Sequence, residues 1–184
     1  SGLSRLGADV LEIPFIEIRP PSSYMPLDMA LQSVQQYDWL ILTSVNGVTA
    51  VAERMKHLGI SQSSLASLKI AAIGPSTRKE IELFGAHVDV VPDRYVAESV
   101  VESLRGRVEG KRVLLARAKV ARDVIPTELK KMGAQVDVVE AYQTVTPVSS
   151  RKALLAAMAS PNSRPHVLTF TSSSTVRNFV GLLG

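Results

Sequence analysis

Short apolar runs rich in β-branched residues alternate along this chain with amphipathic stretches of helical length, and this alternation limits the folds open to it. The apolar runs are, in order, VLEIPFIEI, WLILTS, KIAAIG, HVDVVP, RVLLAR, QVDVVEAYQTV and HVLTFTS. Strands that alternate with helices indicate βα units, and such units build a mainly parallel sheet with helices on both faces. The sequence therefore predicts a doubly wound α/β fold, and each apolar run is expected to form a strand.

A first internal repeat marks the points where helices end and strands begin. It comprises LSRLGADVLEIP, IELFGAHVDVVP and LKKMGAQVDVVEAY. In each copy a glycine (Gly7, Gly85 or Gly133) follows the helical part. A residue at this position adopts a left-handed conformation, which glycine reaches without a Cβ penalty. We expect these three glycines to terminate helices.

A second repeat indicates two related domains. The segment YDWLILTSVNGVTAVAERM resembles RPHVLTFTSSSTVRNFVGLL, each being an apolar strand, a Thr-Ser turn and a helix with an apolar stripe. The Pro- and Ser-marked segments PFIEIRPPSSY and QTVTPVSS interrupt the βα pattern and are predicted to connect the domains side by side. If one domain is inserted in the other, a cleft between them is a natural ligand site. Two complete domains barely fit in 184 residues, so we expect further segments at both ends.

The composition excludes several classes of protein. The chain has no cysteine, which rules out disulfides and thiolate chemistry. Its net charge of +4 is dispersed, and aromatic residues make up 5% of it, so a basic stripe with interleaved aromatics is missing and we expect no nucleic-acid partner. No apolar run reaches the roughly 18 residues of a membrane span. No secretory leader is recognised, and a cytoplasmic protein is expected.

Motifs that would bind a metal or a nucleotide are absent from the sequence. It contains no HExxH, Walker, GxSxG or GxGxxG motif, and its three histidines are scattered without metal-ligand spacing. Metal-dependent chemistry and the chemistry of a classical catalytic triad are therefore disfavoured, and no metal site is expected.

Small polar residues instead follow several predicted strands and begin the next helix. They occur in the turns TSVN (Thr43, Ser44, Asn46), GPST (Ser76, Thr77) and TSSS (Thr171, Ser172, Ser173, Ser174). Taken singly, each turn is an ordinary helix N-cap. Because such turns share one edge of a parallel sheet, their backbone N–H groups could together bind carboxylates or phosphates.

Two further residues that end predicted strands are candidates, and the first of them lies at the same edge as the polar turns. Arg117, followed by Ala118, ends the strand RVLLAR and is either a carboxylate ligand or part of a structural ion pair. Tyr142 ends a strand at the predicted domain crossing. It is either a partly buried strand aromatic or a phenol that projects into the cleft as a hydrogen-bond donor or weak acid.

The order of these fragments resembles the uroporphyrinogen-III synthase family along nearly the whole chain. The resemblance rests on WLILTSVNGVTAV, IGPSTRKEIELFG with the following YVAES, the LLARA turn and the YQT segment. It implies two flavodoxin-like doubly wound domains joined by a two-stranded linker. One domain would comprise residues 1–20 and 144–184, and residues 24–141 would be inserted in it. The family normally has a strand before residue 2 and another strand and helix beyond residue 184.

The resemblance also implies an activity. Members of the family are lyases of porphyrin biosynthesis that cyclise hydroxymethylbilane to uroporphyrinogen III, inverting the last pyrrole ring through a spiro intermediate and releasing water. They use no cofactor and are usually monomers. Tyr142 matches the family tyrosine and would assist departure of the hydroxyl group. The substrate contacts would be Thr43, Ser44, Asn46, Ser76, Thr77, Ala97, Arg117, Ala118, Thr171, Ser172, Ser173 and Ser174.

Two other function classes remain open from the residues alone. A two-domain sensor could close on a small anionic ligand without converting it, since such folds serve both purposes. A nucleotide-dependent transferase is a third class, which the lack of a glycine-rich phosphate loop disfavours.

Overall fold

The computed structural model describes residues 2–161 and 164–184, and within these it contains five strands and eight α-helices. The strands are β1 (Glu17–Arg19), β2 (Trp39–Leu42), β3 (Lys69–Ala72), β4 (Arg112–Ala118) and β5 (Gln135–Val145). The helices are α1 (Gly2–Arg5), α2 (Met25–Gln32), α3 (Val45–His57), α4 (Pro75–Leu83), α5 (Ala97–Ser103), α6 (Val124–Lys131), α7 (Ser150–Met158) and α8 (Ser173–Leu183). Short 3₁₀ helices cover Val34–Gln36 and Gln62–Leu65.

The strands form one sheet in the order β1-β5-β4-β2-β3, and the predicted α/β class is confirmed. The pairs β2–β3, β2–β4 and β4–β5 are all parallel. Beyond β3, Val90 makes an isolated parallel bridge to Ala71. With β1 left aside and the Val90 segment counted as a strand, the five strands from β2 to β5, numbered along the chain, have the order 3-2-1-4-5, which differs from the flavodoxin-like order 2-1-3-4-5.

The core lies on both faces of this sheet because successive strand residues point to opposite sides. Leu40 and Leu42 of β2 pack with α2, α3 and α4 on one face. Trp39 and Ile41 of the same strand pack with α5 and α6 on the other face. All four side chains are at most 3% exposed, so β2 is a central strand covered on both sides, as in a doubly wound fold.

The chain divides into two compact units, Ile18–Gln143 and Ser1–Glu17 together with Thr144–Gly184. The larger unit contains both core clusters described above. The smaller unit has its own core, in which Phe15, Phe170 and Phe179 have ring centroids 5.3–6.3 Å apart. Asn178 of α8 also donates a 2.7 Å hydrogen bond to the carbonyl of Phe15.

Three of the predicted strands are wrong in whole or in part. The run VLEIPFIEI is a strand only from Glu17, HVDVVP contributes only the bridge at Val90, and HVLTFTS contains no strand. A β-strand exists only where a neighbouring backbone completes its hydrogen bonds. The alternating apolar pattern describes which side chains suit a sheet, but it does not supply that neighbour.

The predicted helix-ending glycines are confirmed. Gly7, Gly85 and Gly133 have φ angles of 86°, 94° and 86°, and each directly follows a helical segment or its last turn. Within the described residues, no helix is long and apolar enough to cross a membrane.

Candidate functional site

The strand order reverses between β2 and β4, and ligands of parallel α/β sheets bind in the crevice at the carboxyl ends of the strands beside such a reversal. From β2 the chain continues outward to β3 on one side, and it later returns to place β4 on the other side. Ser44 follows the carboxyl end of β2, and Arg117 and Ala118 end β4. The two turns are therefore brought together by the parallel register.

Ser44 joins the first turn of α3 to Tyr142. It is the N-cap of α3, and its Oγ accepts a 3.0 Å hydrogen bond from the N–H of Gly47. The same Oγ lies 2.9 Å from the hydroxyl oxygen of Tyr142 on β5. Two candidates from different parts of the sequence are thus in direct contact, and the phenol of Tyr142 is held at a helix N-terminus.

A β-bulge gives Tyr142 its orientation. The pairing of β4 with β5 shifts between Arg117 and Ala118, so that Ala118 lies opposite Tyr142. As a result the consecutive residues Ala141 and Tyr142 both pack into the core on the α3 face, at 1% and 8% exposure. The N–H of Lys119 donates a 2.9 Å hydrogen bond to the carbonyl of Tyr142 and fixes this end of β5.

A cavity of about 400 Å³ lies beside Tyr142 within the larger unit. It is lined by residues of α3, by residues 18–20, by Tyr24 and by Ala141 and Tyr142 of β5. The α3 residues that line the cavity are Asn46, Thr49, Ala50, Glu53, Arg54 and His57. Because charged, polar and apolar side chains line it together, this cavity is suited to an organic ligand that carries polar groups.

The cation of Arg54 in this cavity is already engaged. Its Nε and Nη2 donate to the two carboxylate oxygens of Asp28 at 2.5 and 2.7 Å. Its guanidinium also lies over the ring of Tyr24, 4.1 Å from the centroid. Hydrogen bonding to Arg54 lowers the pKa of Asp28 below its usual value, so the pair stays ionised near neutral pH.

The N-terminus of α4 differs from that of α3 because no side chain caps it. Its N-cap is Gly74, which has no side chain, and Pro75 is the first helical residue. Ser76 is exposed, whereas Thr77 is 4% exposed and packs inward. The first N–H groups of this helix therefore have no side-chain acceptor, and a carboxylate of a ligand could take that place.

Gly74 lies under the ring of Tyr95. A Cβ at Gly74 would come within 3.1–3.3 Å of three Tyr95 atoms, including ring carbons. Tyr95 itself is 60% exposed and precedes Ala97, the half-buried first residue of α5. Glycine at this position allows an aromatic ring to lie next to the open N-terminus of α4.

Arg117 forms an ion pair within the protein. It is only 12% exposed, donates a 2.8 Å hydrogen bond to the carbonyl of Arg122 and pairs with Asp123. Arg122 in turn donates to Glu98 at 2.8 Å. Arg117 thus has the partners that a structural ion pair requires. A ligand carboxylate that bound Arg117 would have to share its guanidinium with the exposed carboxylate of Asp123.

The turn Thr171–Ser174 lies in the smaller unit. Ser172 caps α8 by accepting a 3.3 Å hydrogen bond from the N–H of Thr175, and its Oγ lies 2.9 Å from that of Ser174. Thr171, Ser172, Ser173 and Ser174 are all exposed. This turn reproduces the Ser44 cap locally, as the internal repeat predicts.

Sequence reasoning did not identify Gly47 or Tyr95 as site residues. Gly47 is buried in the first turn of α3, and a Cβ there would lie 3.2 Å from Ser44 Oγ and 3.9 Å from Tyr142 Cε1. The spacing Ser44-x-x-Gly47 was a usable signal, because an N-cap side chain accepts from the residue three positions later. No comparable sequence signal places Tyr95 against Gly74.

No cluster of three or more His, Asp or Glu side chains that could hold a metal ion occurs in residues 2–161 and 164–184. The same residues contain no buried side-chain nitrogen or oxygen that lacks a hydrogen-bond partner.

Comparison with known proteins identifies relatives over the whole chain. The family model described as uroporphyrinogen-III synthase HemD matches residues 1–184. A uroporphyrinogen-III synthase from Synechococcus elongatus is 37% identical over 182 residues, which cover 98% of this chain and 68% of that protein. The porphyrin biosynthesis protein HemD of Ruminiclostridium josui is 28% identical over 179 residues, which cover 97% of this chain. The chain spans only 35% of that second protein's length.

The fold is also similar to that of a solved structure. The crystal structure of uroporphyrinogen III synthase from the extremely thermophilic bacterium Thermus thermophilus superimposes with a TM-score of 0.62, covering 97% of this chain and 69% of that one. The sequences are 21% identical, so this likeness bears on the fold alone.

Proposed function

This chain belongs to the uroporphyrinogen-III synthase family of porphyrin biosynthesis, whose members are cyclising lyases, and we propose that its substrate is hydroxymethylbilane. The proposed product is uroporphyrinogen III, formed with inversion of the last pyrrole ring and release of water. The observation that carries the proposal at the site is the contact between Tyr142, which lines the cavity, and Ser44, which follows β2 at the reversal of the strand order.

Tyr142 is proposed to assist departure of the substrate hydroxyl group. The phenol proton passes to the leaving oxygen, the C–O bond breaks with its electron pair, and water leaves. The substituted carbon of the last ring then supplies the electron pair of a new C–C bond to the remaining azafulvenium cation, which gives the spiro intermediate. That intermediate fragments and recloses, and the proton lost when the ring regains its aromatic state returns to Tyr142. Atoms and charge therefore balance without a further reagent.

Most of the catalytic effect is proposed to come from holding one folded conformation of the substrate. The same substrate cyclises unaided to the uninverted isomer, so the protein must favour one of two closures. The acetate and propionate groups of the four pyrroles supply anions through which a site can hold this conformation.

Backbone N–H groups at helix N-termini are proposed to bind these carboxylates. The uncapped start of α4 at Ser76 and Thr77 supports this proposal most directly. The other proposed contacts are Thr43, Ser44, Asn46, Ala97, Arg117, Ala118 and the turn Thr171–Ser174. Since Ser44 and Ser172 already cap their own helices with their side chains, they are proposed to contact substrate through their backbone.

We also propose the domain arrangement that the sequence predicts. We propose two doubly wound domains, residues 1–20 with 144–184 and residues 24–141, joined by a linker of two strands. Hydrogen bonds from Gln143 Nε2 to the carbonyl of Pro20 and from the N–H of Ser22 to Glu140, at 2.9 and 2.7 Å, support the side-by-side course of that linker. A cytoplasmic monomer is proposed as well, and sedimentation of the purified protein would test the monomeric state.

A coupled assay tests the proposed function. Hydroxymethylbilane is generated in situ, the protein is added without metal or nucleotide, and the type I and type III uroporphyrinogen isomers are separated after oxidation. A shift to the type III isomer is expected. Formation of the type I isomer alone by folded protein would reject this substrate, and titration with a tetrapyrrole that is returned unchanged would then favour the sensor.

A further inference from the structure

The hydrogen bonds around Ser44 show in which direction the phenol of Tyr142 can donate. A serine hydroxyl has one proton to donate and two lone pairs that accept. One lone pair of Ser44 Oγ accepts from the N–H of Gly47 at 3.0 Å. The remaining contact of this oxygen is with Tyr142 at 2.9 Å, in which either hydroxyl could be the donor.

The surroundings of the two hydroxyl groups distinguish them. Tyr142 lines the 400 Å³ cavity, whereas Ser44 is not among the residues that line it. If Tyr142 donated to Ser44, its proton would point away from the cavity, and the serine proton would need another acceptor. If Ser44 donates to Tyr142, the serine proton has an acceptor within the protein. The phenol proton is then free to be donated to a group in the cavity.

We infer that Ser44 is a positioning residue, whose side chain donates to Tyr142 and turns the phenol proton toward the substrate. This inference rests on the proposed role of Tyr142 as the acid. It assigns the Ser44 hydroxyl to the protein's own acid and not to a substrate carboxylate. Gly47 belongs to the same arrangement, because its N–H donates to one of the two lone pairs of Ser44 Oγ and so helps to hold this oxygen in place beside Tyr142.

The chemical consequence is a fixed direction for the first proton transfer. As the phenol gives its proton to the departing hydroxyl group, negative charge develops on the phenolic oxygen. The Ser44 hydroxyl already donates to that oxygen, so it stabilises the developing phenolate without reorganising. When the proton returns at the end of the reaction, the original arrangement is restored.

A double-mutant cycle with a conservative rescue tests the inference. We expect Ser44→Ala to lower kcat by about tenfold with KM little changed, since misdirecting a general acid removes part of its contribution. Ser44→Thr keeps a hydroxyl and should restore most of kcat. In the Tyr142→Phe background, Ser44→Ala should change kcat by no more than about twofold, because the phenol it positions is gone.

The control for helix capping is Ser44→Gly, because glycine at an N-cap preserves most of the capping stability but lacks the hydroxyl. It should lose kcat as Ser44→Ala does, although its thermal unfolding stays nearer that of the unaltered protein. Ser61→Ala removes a hydroxyl that caps the Gln62–Leu65 turn and makes no hydrogen bond to Tyr142, so kcat should not change.

A second measurement does not depend on activity. In protein labelled with isotopic tyrosine, the phenolic carbon resonance of Tyr142, assigned by its loss in Tyr142→Phe, should move in Ser44→Ala and return in Ser44→Thr. An unmoved resonance would overturn the inference even if the type III isomer forms. The inference would also fail if Ser44→Ala lowered kcat by the same factor in the unaltered protein and in the Tyr142→Phe variant. It would fail likewise if Ser44→Ala raised KM in both proteins. If no type III isomer forms but the resonance moves, the proposed function fails and the hydrogen bond stands.

Discussion

Arg54 and Asp28 form a two-point ion pair that ties α3 to α2, with nitrogen-to-oxygen distances of 2.5 and 2.7 Å. The arginine side chain is 16% exposed and the aspartate side chain 22% exposed, so water screens the pair less than it would a fully exposed one. Because Arg54 also lines the cavity beside Tyr142, the pair links the packing of α2 against α3 to the candidate site.

The first prediction concerns acid stability. The pKa of Asp28 is lower in the folded protein than its ordinary value of 3.8, chiefly through its hydrogen bonds to Arg54. The stabilisation is therefore complete above that ordinary value and is lost as the pH falls through the lower folded pKa. Asp28→Asn should unfold at lower denaturant concentration at neutral pH, and its difference from the unaltered protein should shrink below pH 3.8. Glu82→Gln, which breaks an exposed pair with Arg78, is the control and should have little effect.

A second prediction tests the contact between Gly74 and Tyr95. Gly74→Ala should destabilise the protein by about 1 kcal/mol, because the new Cβ would crowd an aromatic ring that is exposed enough to shift. Gly181→Ala in α8, where a Cβ meets nothing within 4 Å, is the control and should stabilise the protein by up to about 1 kcal/mol. Thermal unfolding measures both. If Gly74→Ala lowers the stability by the same amount in a Tyr95→Ala background, the Tyr95 ring is not the cause of the destabilisation.

The third prediction separates the two roles of Arg117. Asp123→Asn removes the internal partner but leaves the arginine, whereas Arg117→Ala removes both the ion pair and any substrate contact. If Arg117 binds substrate, Arg117→Ala should raise KM by about tenfold, the effect of losing one charge-assisted hydrogen bond. Asp123→Asn should not raise KM. An unchanged KM in Arg117→Ala would leave only the structural role.

A fourth prediction uses the uncapped N-terminus of α4. Ser76→Ala should change KM by less than about twofold, because the backbone donors survive the substitution. Ser76→Asp should stabilise the helix by about 0.5 kcal/mol through the helix dipole, yet raise KM, since its carboxylate would occupy the N–H groups proposed for the substrate. A loss of more than about 3 kcal/mol of transition-state binding in Ser76→Ala would assign the hydroxyl itself a more specialised role.

The fifth prediction concerns the proposed acid. Tyr142→Phe should lower the rate of type III isomer formation by about 10²-fold, the low end of what a general acid contributes, because positioning of the substrate remains. Far-ultraviolet circular dichroism should confirm that the variant is folded. Complete inactivity in a folded variant would contradict the view that positioning contributes most of the catalysis.

Much of the fold could be predicted from local pattern alone. Gly85 and Gly133 end helices because a left-handed residue is needed there, and this requirement acts within one turn of the chain. The apolar run WLIL forms a strand that is buried on both faces, as a continuous apolar run in a parallel sheet should be. The caps at Ser44 and Ser172 are likewise local, since each accepts from the residue three positions later.

The alternation of apolar residues in the sequence could not predict which strands pair with one another. The segment from His87 to Pro92 has the same alternation as the start of β5, but it makes only one bridge, through Val90. Whether such a segment forms a strand depends on which backbone lies beside it, and that neighbour is distant in sequence. The strand order, and with it the difference from the flavodoxin-like order, has the same origin.

The sequence by itself determined the α/β class, the family, the helix ends and the residue types that stand at the carboxyl ends of the strands. Only the tertiary structure decided that Ser44 meets Tyr142, that Arg117 is paired with Asp123 and that α4 begins without a capping side chain beside Tyr95. Helix ends follow from interactions within a few residues. The contact of Ser44 with Tyr142 spans 98 positions, and it exists because the parallel register and a β-bulge bring the ends of two strands to one edge of the sheet.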